Sequence, residues 1–296
     1  MKAAFSLAAL ASPAVAFRGT IGIGGPMSNM TNKEWQDLFK DANATGTYYF
    51  DGYNVSDSFP PKKTVAGWSA TIRVANITDD PEDGSIPYPG VDVSVKAPDG
   101  MELPKSNYSG WNACVSAWGP ERLTSGATSD AQLDDGDCSS FLSDECIRDL
   151  KIQASGYYFD GKRCRSFPSI PSSCEKYYEK GGEGFGSSIT TNFNSTFNGS
   201  TLISHRPQLV GDGEHAMTEE EAYKEAVRGV WTVVINWGNR DPMSYSEGDA
   251  LQPTLLCLRT RNITEGSEDP NVGARTAAYA PMAMLVSILA TVLLVY

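Results

Sequence analysis

Histidine is nearly absent from this chain: two in 296 residues, His205 and His215. They lie ten apart with no His-Glu-x-x-His helix, which argues against a zinc-hydrolase centre. No Gly-x-Ser-x-Gly turn occurs, so a hydrolase triad built on that elbow is unsupported. No Cys-x-x-Cys pair occurs either, and both histidines are remote in sequence from the cysteines, so no metal ligand is assigned. Long apolar runs are missing too. Met282–Tyr296 is free of charge but only 15 residues long, where a spanning helix needs about 20. Basic residues are few: 24 Lys and Arg against 36 Asp and Glu, a net of −12. Such a surface repels nucleic acid and anionic lipid headgroups, and neither is an expected partner.

The termini are more informative. Lys2, the apolar run Ala3–Ala11 and the small-x-small Ala14-Val15-Ala16 have the pattern of a secretory signal peptide over residues 1–16, with Phe17 as the first mature residue. A phenylalanine there removes the copper oxygenase option, which needs an N-terminal histidine. At the other end, Asn271-Val272-Gly273 precedes a spacer, Ala274–Pro281, and then the short apolar tail. Small residues, spacer and tail in that order read as a GPI-attachment signal over 272–296, with Asn271 as the attachment site and 266–271 as a short linker. Without Lys2 and Arg275, 22 basic residues face 36 acidic, a net of −14. The expected address is the extracellular face of the plasma membrane, held through a lipid anchor, or the cell wall. Eight sequons agree with that route: Asn29, Asn43, Asn54, Asn76, Asn107, Asn194, Asn198 and Asn262.

Between the termini the pattern is mainly β. Trp68, Ala70, Ile72 and Val74 alternate with polar residues, as do Val91, Val93, Val95 and Ala97. Trp111–Ala117 and Trp231–Trp237 repeat the period of two, and Thr254–Arg261 carries Leu256 and Leu258 inward. Gly/Ser/Thr-rich stretches at 186–193 and 199–206 suggest a further hairpin. Helices are expected over Ser139–Ala154 and over Thr218–Arg228, the second opened by the capping box Thr218-x-x-Glu221. The expected fold is one antiparallel β-sandwich over 17–265 with a small disulfide-linked helical insert at about 130–180. Cys114, Cys138, Cys146, Cys164, Cys174 and Cys257 form an even set, for which disulfides are the default in an oxidising compartment. Cys114 and Cys257 fall on the polar-facing sides of two strands and are the favoured pair; the other four are left unassigned within the insert. Thr47–Gly52 and Gly156–Gly161 share Tyr-Tyr-Phe-Asp-Gly without matching flanks, which points to a shared turn and not to a duplication.

No catalytic residue and no cofactor are assigned. Strand parity places Trp68, Trp111, Trp231 and Trp237 in the core. Trp35 and Trp118 remain as tentative ligand-binding residues, with Tyr48, Tyr49 and Tyr53, because sugar rings stack on exposed aromatic faces. Asp130, Asp134, Asp135 and Asp137 lack the alternate spacing of an EF-hand and fit a solvated turn before a helix. Glycoside hydrolysis needs two carboxylates at a set separation, and 36 acidic residues supply many pairs among which spacing does not choose.

Gly67-Trp68-Ser69, Val91–Pro98, Trp111-Asn112-Ala113-Cys114, Asp134-Asp135-Gly136-Asp137-Cys138-Ser139 and Asp144-Glu145-Cys146-Ile147 together resemble a group of uncharacterised secreted, cysteine-containing cell-surface proteins of filamentous fungi. The similarity spans about residues 65–260. It rests on cysteine and tryptophan spacing, implies a surface or wall-associated protein, and brings no site residue. The expectation is a GPI-anchored glycoprotein without evident catalytic site, structural or binding wall polysaccharide or another surface protein. The alternatives are a carbohydrate-active enzyme using an Asp/Glu pair, and a secreted effector.

Overall fold

The computed structural model describes residues 19–23, 25–26, 30–61, 63–78, 87–103, 111–156, 170–179, 188–192, 199–207, 209, 218–239 and 251–267. The expected signal peptide, Asn271, the attachment signal, Cys164, His215 and the sequons at Asn29, Asn107, Asn194 and Asn198 lie outside them.

The strands are β1 (Gly19–Ile23), β2 (Ala44–Tyr53), β3 (Thr64–Ile77), β4 (Tyr88–Lys96), β5 (Trp111–Trp118), β6 (Ser188–Asn192), β7 (Thr201–Pro207), β8 (Trp231–Asn239), β9 (Thr254–Leu258) and β10 (Asn262–Ile263). They form two antiparallel sheets. Sheet A has the order β1-β7-β4-β3-β2-β10 and sheet B the order β6-β5-β8-β9. The expected mainly-β sandwich is therefore what the chain forms. Of the helices, α1 (Asn32–Asp37) and α4 (Glu219–Arg228) begin with complete capping boxes, Thr31/Glu34 and Thr218/Glu221. Between β5 and β6 come α2 (Ser125–Asp130) and α3 (Asp144–Gly156).

The inward parity of the strands builds the main core. Trp68, Ile72, Val91, Val93, Val115, Trp231, Ile235 and Trp237 are all buried between the sheets. The Trp68 and Trp237 rings meet edge-on at 5.2 Å, and Phe59 meets Trp111 at 5.1 Å. Burying each such side chain stabilises by about 2–3 kcal/mol, with about 0.5–1.5 more for a well-placed ring pair. Three of the core indole N–H groups are satisfied: Trp68 donates to the Tyr53 carbonyl at 3.1 Å, Trp111 to that of Asp57 at 2.7 Å, and Trp237 to Thr254 Oγ1 at 3.0 Å. Gly52 belongs here because a Cβ would stand 2.7 Å from the Trp68 ring.

Both sheets are covered on their outer faces as well, sheet A only in part. On sheet B, outward residues Trp118, Val234, Leu255 and Cys257 pack under α2, α3 and the 170–179 segment, with Phe141, Leu142, Leu150 and Tyr178. On sheet A, α1 lays Trp35 and Phe39 over Ala75, Ile77 and Tyr88. Beneath α1 is the fully buried Asp92. Its Oδ1 accepts from Trp35 Nε1 at 3.0 Å and Thr201 Oγ1 at 2.8 Å, and its Oδ2 from Arg73 at 2.7 Å. Four donated hydrogen bonds, counting the second Arg73 nitrogen at 3.2 Å, offset the desolvation of the carboxylate. Asp92→Ala is expected to destabilise by about 3–5 kcal/mol, because it leaves Arg73 and Trp35 without their acceptor. Chemical denaturation measures this; a loss below about 1 kcal/mol would mean the cluster is unimportant.

Three expectations change. Cys257 pairs with Cys138, with Cα atoms 5.2 Å apart, and Cys146 pairs with Cys174. Cys114 is disulfide-bonded, but not to Cys257. The reason is strand order and register: β8 separates β5 from β9, and Cys114 lies opposite Asn236 while Cys257 lies opposite Thr232, four residues along, so the two stand roughly 17 Å apart, far beyond the roughly 7 Å a disulfide tolerates. The strands at 188–192 and 201–207 exist but do not form a hairpin; β6 pairs with β5 and β7 with β1 and β4. The first expected helix starts at Asp144 and not at Ser139, because Asp134 and Asp137 accept the Ser139 and Ser140 amides and bend 139–143 into a turn.

Beyond β9 the chain crosses from sheet B to sheet A. Arg259 donates to the Ala131 and Gln132 carbonyls, and the Arg261 guanidinium stacks over the Tyr48 ring at 4.3 Å. These contacts fasten the helical insert to the corner of the sandwich. Gly136, at φ +103°, is confined there because a Cβ would meet the Tyr48 ring at 2.2 Å.

Candidate functional site

All six tryptophans are buried, at 0–1% exposure. Trp35 and Trp118 therefore offer no stacking face, and their assignment as ligand-binding residues is corrected. Trp35 is held inward by Asp92. Trp118 does point outward from sheet B, as its parity indicates, but the helical insert covers it. Of the three tyrosines singled out with them, Tyr48 and Tyr53 are also buried. Tyr49 is 78% exposed, and it is the one strongly exposed aromatic ring among the described residues.

Tyr49 stands on the outer face of sheet A, on the part that α1 leaves uncovered. Register fixes its neighbours. Tyr49 on β2 lies opposite Ser69 on β3, which lies opposite Lys96 on β4. The next row is Thr47, Thr71 and Ser94, and the one after it is Thr45, Arg73 and Asp92. Rows lie about 7 Å apart along the strands, and strands about 4.8 Å apart across them. Thr47 and Thr71 share a hydrogen bond of 3.0 Å, which fixes both hydroxyls on the surface. The two cations of the face are compensated: Lys96 by Asp99 at 2.7 Å, Arg73 by Asp92 at 2.7 Å. Asp99 holds the Lys96 ammonium above its ordinary value, and the nearby Tyr49 phenol adds to that. The result is a hydroxyl-bearing surface with one aromatic ring and both cations paired, and the exposed Asp51, two residues on from Tyr49 along β2, adds a carboxylate beside it. Parity had pointed to these positions as the polar side of β3 and β4; what it did not show was β2, whose inward side reads Ala44, Gly46, Tyr48, Phe50 and Gly52 and is poorly marked as apolar.

A second feature is a pair of enclosed carboxyls. Glu121 follows β5 in a single 3-10 turn, Pro120–Arg122, and Glu225 lies in α4. Gly229 packs against Pro120, where a Cβ would stand 2.5 Å from the proline ring, so the last turn of α4 abuts the Glu121 turn. Burial pushes the Glu225 carboxyl up to about 8, and the charge of Glu121 adds to the effect. Burial likewise raises Glu121, against the opposing pull of Arg122 at 3.4 Å. Nothing in the sequence marks this pair; it arises where two segments a hundred residues apart meet.

The remaining candidates carry structure. Asp134 is buried and accepts from the Gly136, Cys138 and Ser140 amides at 2.6–3.1 Å, while Asp130, Asp135 and Asp137 are exposed. No group of three or more metal-ligating side chains occurs among the described residues. His205 lies on β7 inside the core beside Trp231, ring centres 5.5 Å apart, and burial pulls its imidazole down to about 3. No helix among the described residues is long and apolar enough to cross a membrane. Of the four described sequon asparagines, Asn76 and Asn262 are exposed and Asn43 and Asn54 half-buried. Comparison of the chain with protein-family models, with curated proteins and with solved structures gives no match.

Proposed function

We propose that this chain is a glycoprotein of a fungal cell surface, lipid-anchored at Asn271, which binds a neutral wall polysaccharide through the open face of sheet A. The observation that carries the reading is the exposed Tyr49 ring set in an array of hydroxyls. An aromatic face attracts the weakly positive C–H side of a sugar ring, while Thr47, Ser69 and Thr71 supply donors and acceptors at its rim. Lys96 and Arg73 are each paired with a carboxylate, so neither stands ready to select an acidic polymer. The net charge of −14 after both terminal signals are removed repels one. The N-terminal apolar segment, the tail after Asn271 and the sequons supply the address.

Tyr49→Ala is expected to weaken binding to insoluble wall glucan, chitin or mannan by about 30-fold, or 2 kcal/mol, the cost of truncating a central aromatic anchor. Co-sedimentation of the wild type and the variant measures it. Because the ring is in solvent, the variant keeps its folding stability, so loss of binding is not loss of fold. Equal retention of both proteins on every wall fraction would sink the reading.

Glu121 and Glu225 favour a second reading, in which the chain hydrolyses glycosidic bonds with an acid carboxyl of raised pKa. It requires turnover of a wall polysaccharide that Glu225→Gln abolishes. We prefer binding, because the pair is enclosed at the α4 junction and not on the open face.

A further inference from the structure

Three of the sequons, far apart in sequence, meet at one corner of sheet A. Asn262 on β10 lies opposite Thr45, the hydroxyl residue of the Asn43 sequon. Thr264, the hydroxyl residue of the Asn262 sequon, donates its amide to the Asn43 carbonyl at 2.9 Å and its Oγ1 to the Ala42 carbonyl at 2.6 Å. The two sequons are thus paired antiparallel, residue for residue. Asn43 Oδ1 accepts the Asn76 amide at 2.7 Å, which brings in the third sequon, and Asn43 Nδ2 donates to Ser267 Oγ at 3.2 Å. Ser267 is in the short segment by which the chain leaves the sandwich toward its C-terminal tail. The half-buried Asn43 amide therefore ties that segment to β3, with Nδ2 on Ser267 and Oδ1 on the Asn76 backbone amide.

The flanking asparagines are exposed, and they point to opposite sides of this corner. Asn262 shares the outer face with Thr45, while Asn76 reaches α4, its Nδ2 lying 3.4 Å from Glu219 Oε1. Between them Thr264, Glu265 and Gly266 are exposed and make a turn, with Gly266 at φ +86° and the Ser267 amide donating to the Thr264 carbonyl at 2.9 Å. A segment of this kind is where proteases cut. A single cut there would free the whole domain from whatever holds its C-terminus.

We propose that Asn76 and Asn262 carry glycans that bracket the exit segment from both faces of the sheet edge and shield it from proteolysis, with the Asn43 amide holding it between them. The inference rests on the surface-anchored reading, in which no Ser/Thr-rich stalk separates the domain from its anchor and the exit segment is the weak point. Bulky hydrated glycans on each side deny a protease the extended stretch of chain it must grip.

The experiment uses the anchored full-length protein. Glycopeptide mapping is expected to find both Asn76 and Asn262 occupied. A glutamate-specific protease is expected to release the domain with Glu265 as its new C-terminal residue, read by mass and so distinguished from a cut at Glu268, about tenfold faster from the Asn76→Gln/Asn262→Gln variant than from the wild type. Enzymatic removal of glycans from the folded wild-type protein provides a second comparison should the variant misfold, and the same acceleration is expected there. A bare Asn76 or Asn262, or an unchanged rate after both treatments, would overturn the proposal. Failure of the polysaccharide reading would show at Tyr49 and would move neither of these readouts.

Discussion

Replacing Cys138 and Cys257 together by alanine is expected to cost about 5 kcal/mol, more than replacing Cys146 and Cys174. The two residues are 119 apart, and on the chain-entropy model a loop of that length restricts the unfolded state by about 5 kcal/mol. The smaller Cys146–Cys174 loop, with a separation of 28, corresponds to about 3.5 kcal/mol. The order is reinforced by what each bond joins. Cys146–Cys174 links two parts of the helical layer to each other. Cys138–Cys257 links that layer to an edge strand of sheet B, beside the Gly136 carbonyl that accepts the Cys257 amide at 2.9 Å. Guanidinium unfolding of both double variants gives the comparison. Equal midpoints, or a larger loss for Cys146/Cys174, would show that the layer is fixed by packing and by the Arg259 and Arg261 contacts and not by the bond to β9.

Stability is expected to follow a bell-shaped dependence on pH, set by two enclosed groups that titrate in opposite senses. His205 has its pKa lowered from 6.5 to about 3. The unfolded chain therefore takes up a proton that the folded chain refuses, and the stability present above pH 6.5 is lost progressively toward pH 3. Glu225 has its pKa raised from 4.5 to about 8. The folded chain keeps a proton that the unfolded chain gives up, and the stability present below pH 4.5 is lost as pH rises through 8. Each slope is about 1.4 kcal/mol per pH unit. Between pH 4.5 and 6.5 the two oppose each other and the profile is flat. Below that window the His205 limb stands alone, and above it the Glu225 limb does. Each removes about 2 kcal/mol over the next 1.5 units. Glu121, raised by the same burial, steepens the alkaline side. Glu225→Gln is expected to flatten the alkaline limb and His205→Leu the acid limb, as read from unfolding midpoints between pH 3 and 9. An alkaline limb unchanged in Glu225→Gln would mean that other groups govern it.

Much of the sandwich was legible because period-two alternation reports which side chains share a face. Trp68 to Val74, Val91 to Val95 and Trp231 to Trp237 line one core as their parity requires. The Thr218/Glu221 capping box was equally plain, being a local arrangement of four residues. What parity does not report is whether the opposite face is covered. By parity alone Trp118 looks open to solvent for that reason, although a second layer lies over it. Trp35 was misread because its polar surroundings are local, whereas its partner Asp92 is 57 residues away. The cysteine pairing depended on strand order, which alternation leaves open: inserting β8 between β5 and β9 moves Cys114 out of reach of Cys257. The proposed binding face is visible in the sequence only in fragments, since β2 presents two glycines on its inner side. Tyr49 stands beside Tyr48 in the sequence, and nothing local distinguishes the exposed ring from the buried one.

The most direct test of the account is a titration of the folded, soluble domain with short neutral wall oligosaccharides, following the ring resonances of its tyrosines by NMR. Binding at the open face of sheet A predicts a saturable shift of the Tyr49 ring with at least one glucan, chitin or mannan fragment, while the buried Tyr48 and Tyr53 stay in place. A saturable shift elsewhere with Tyr49 unmoved, or no shift with any of these sugars, would contradict it.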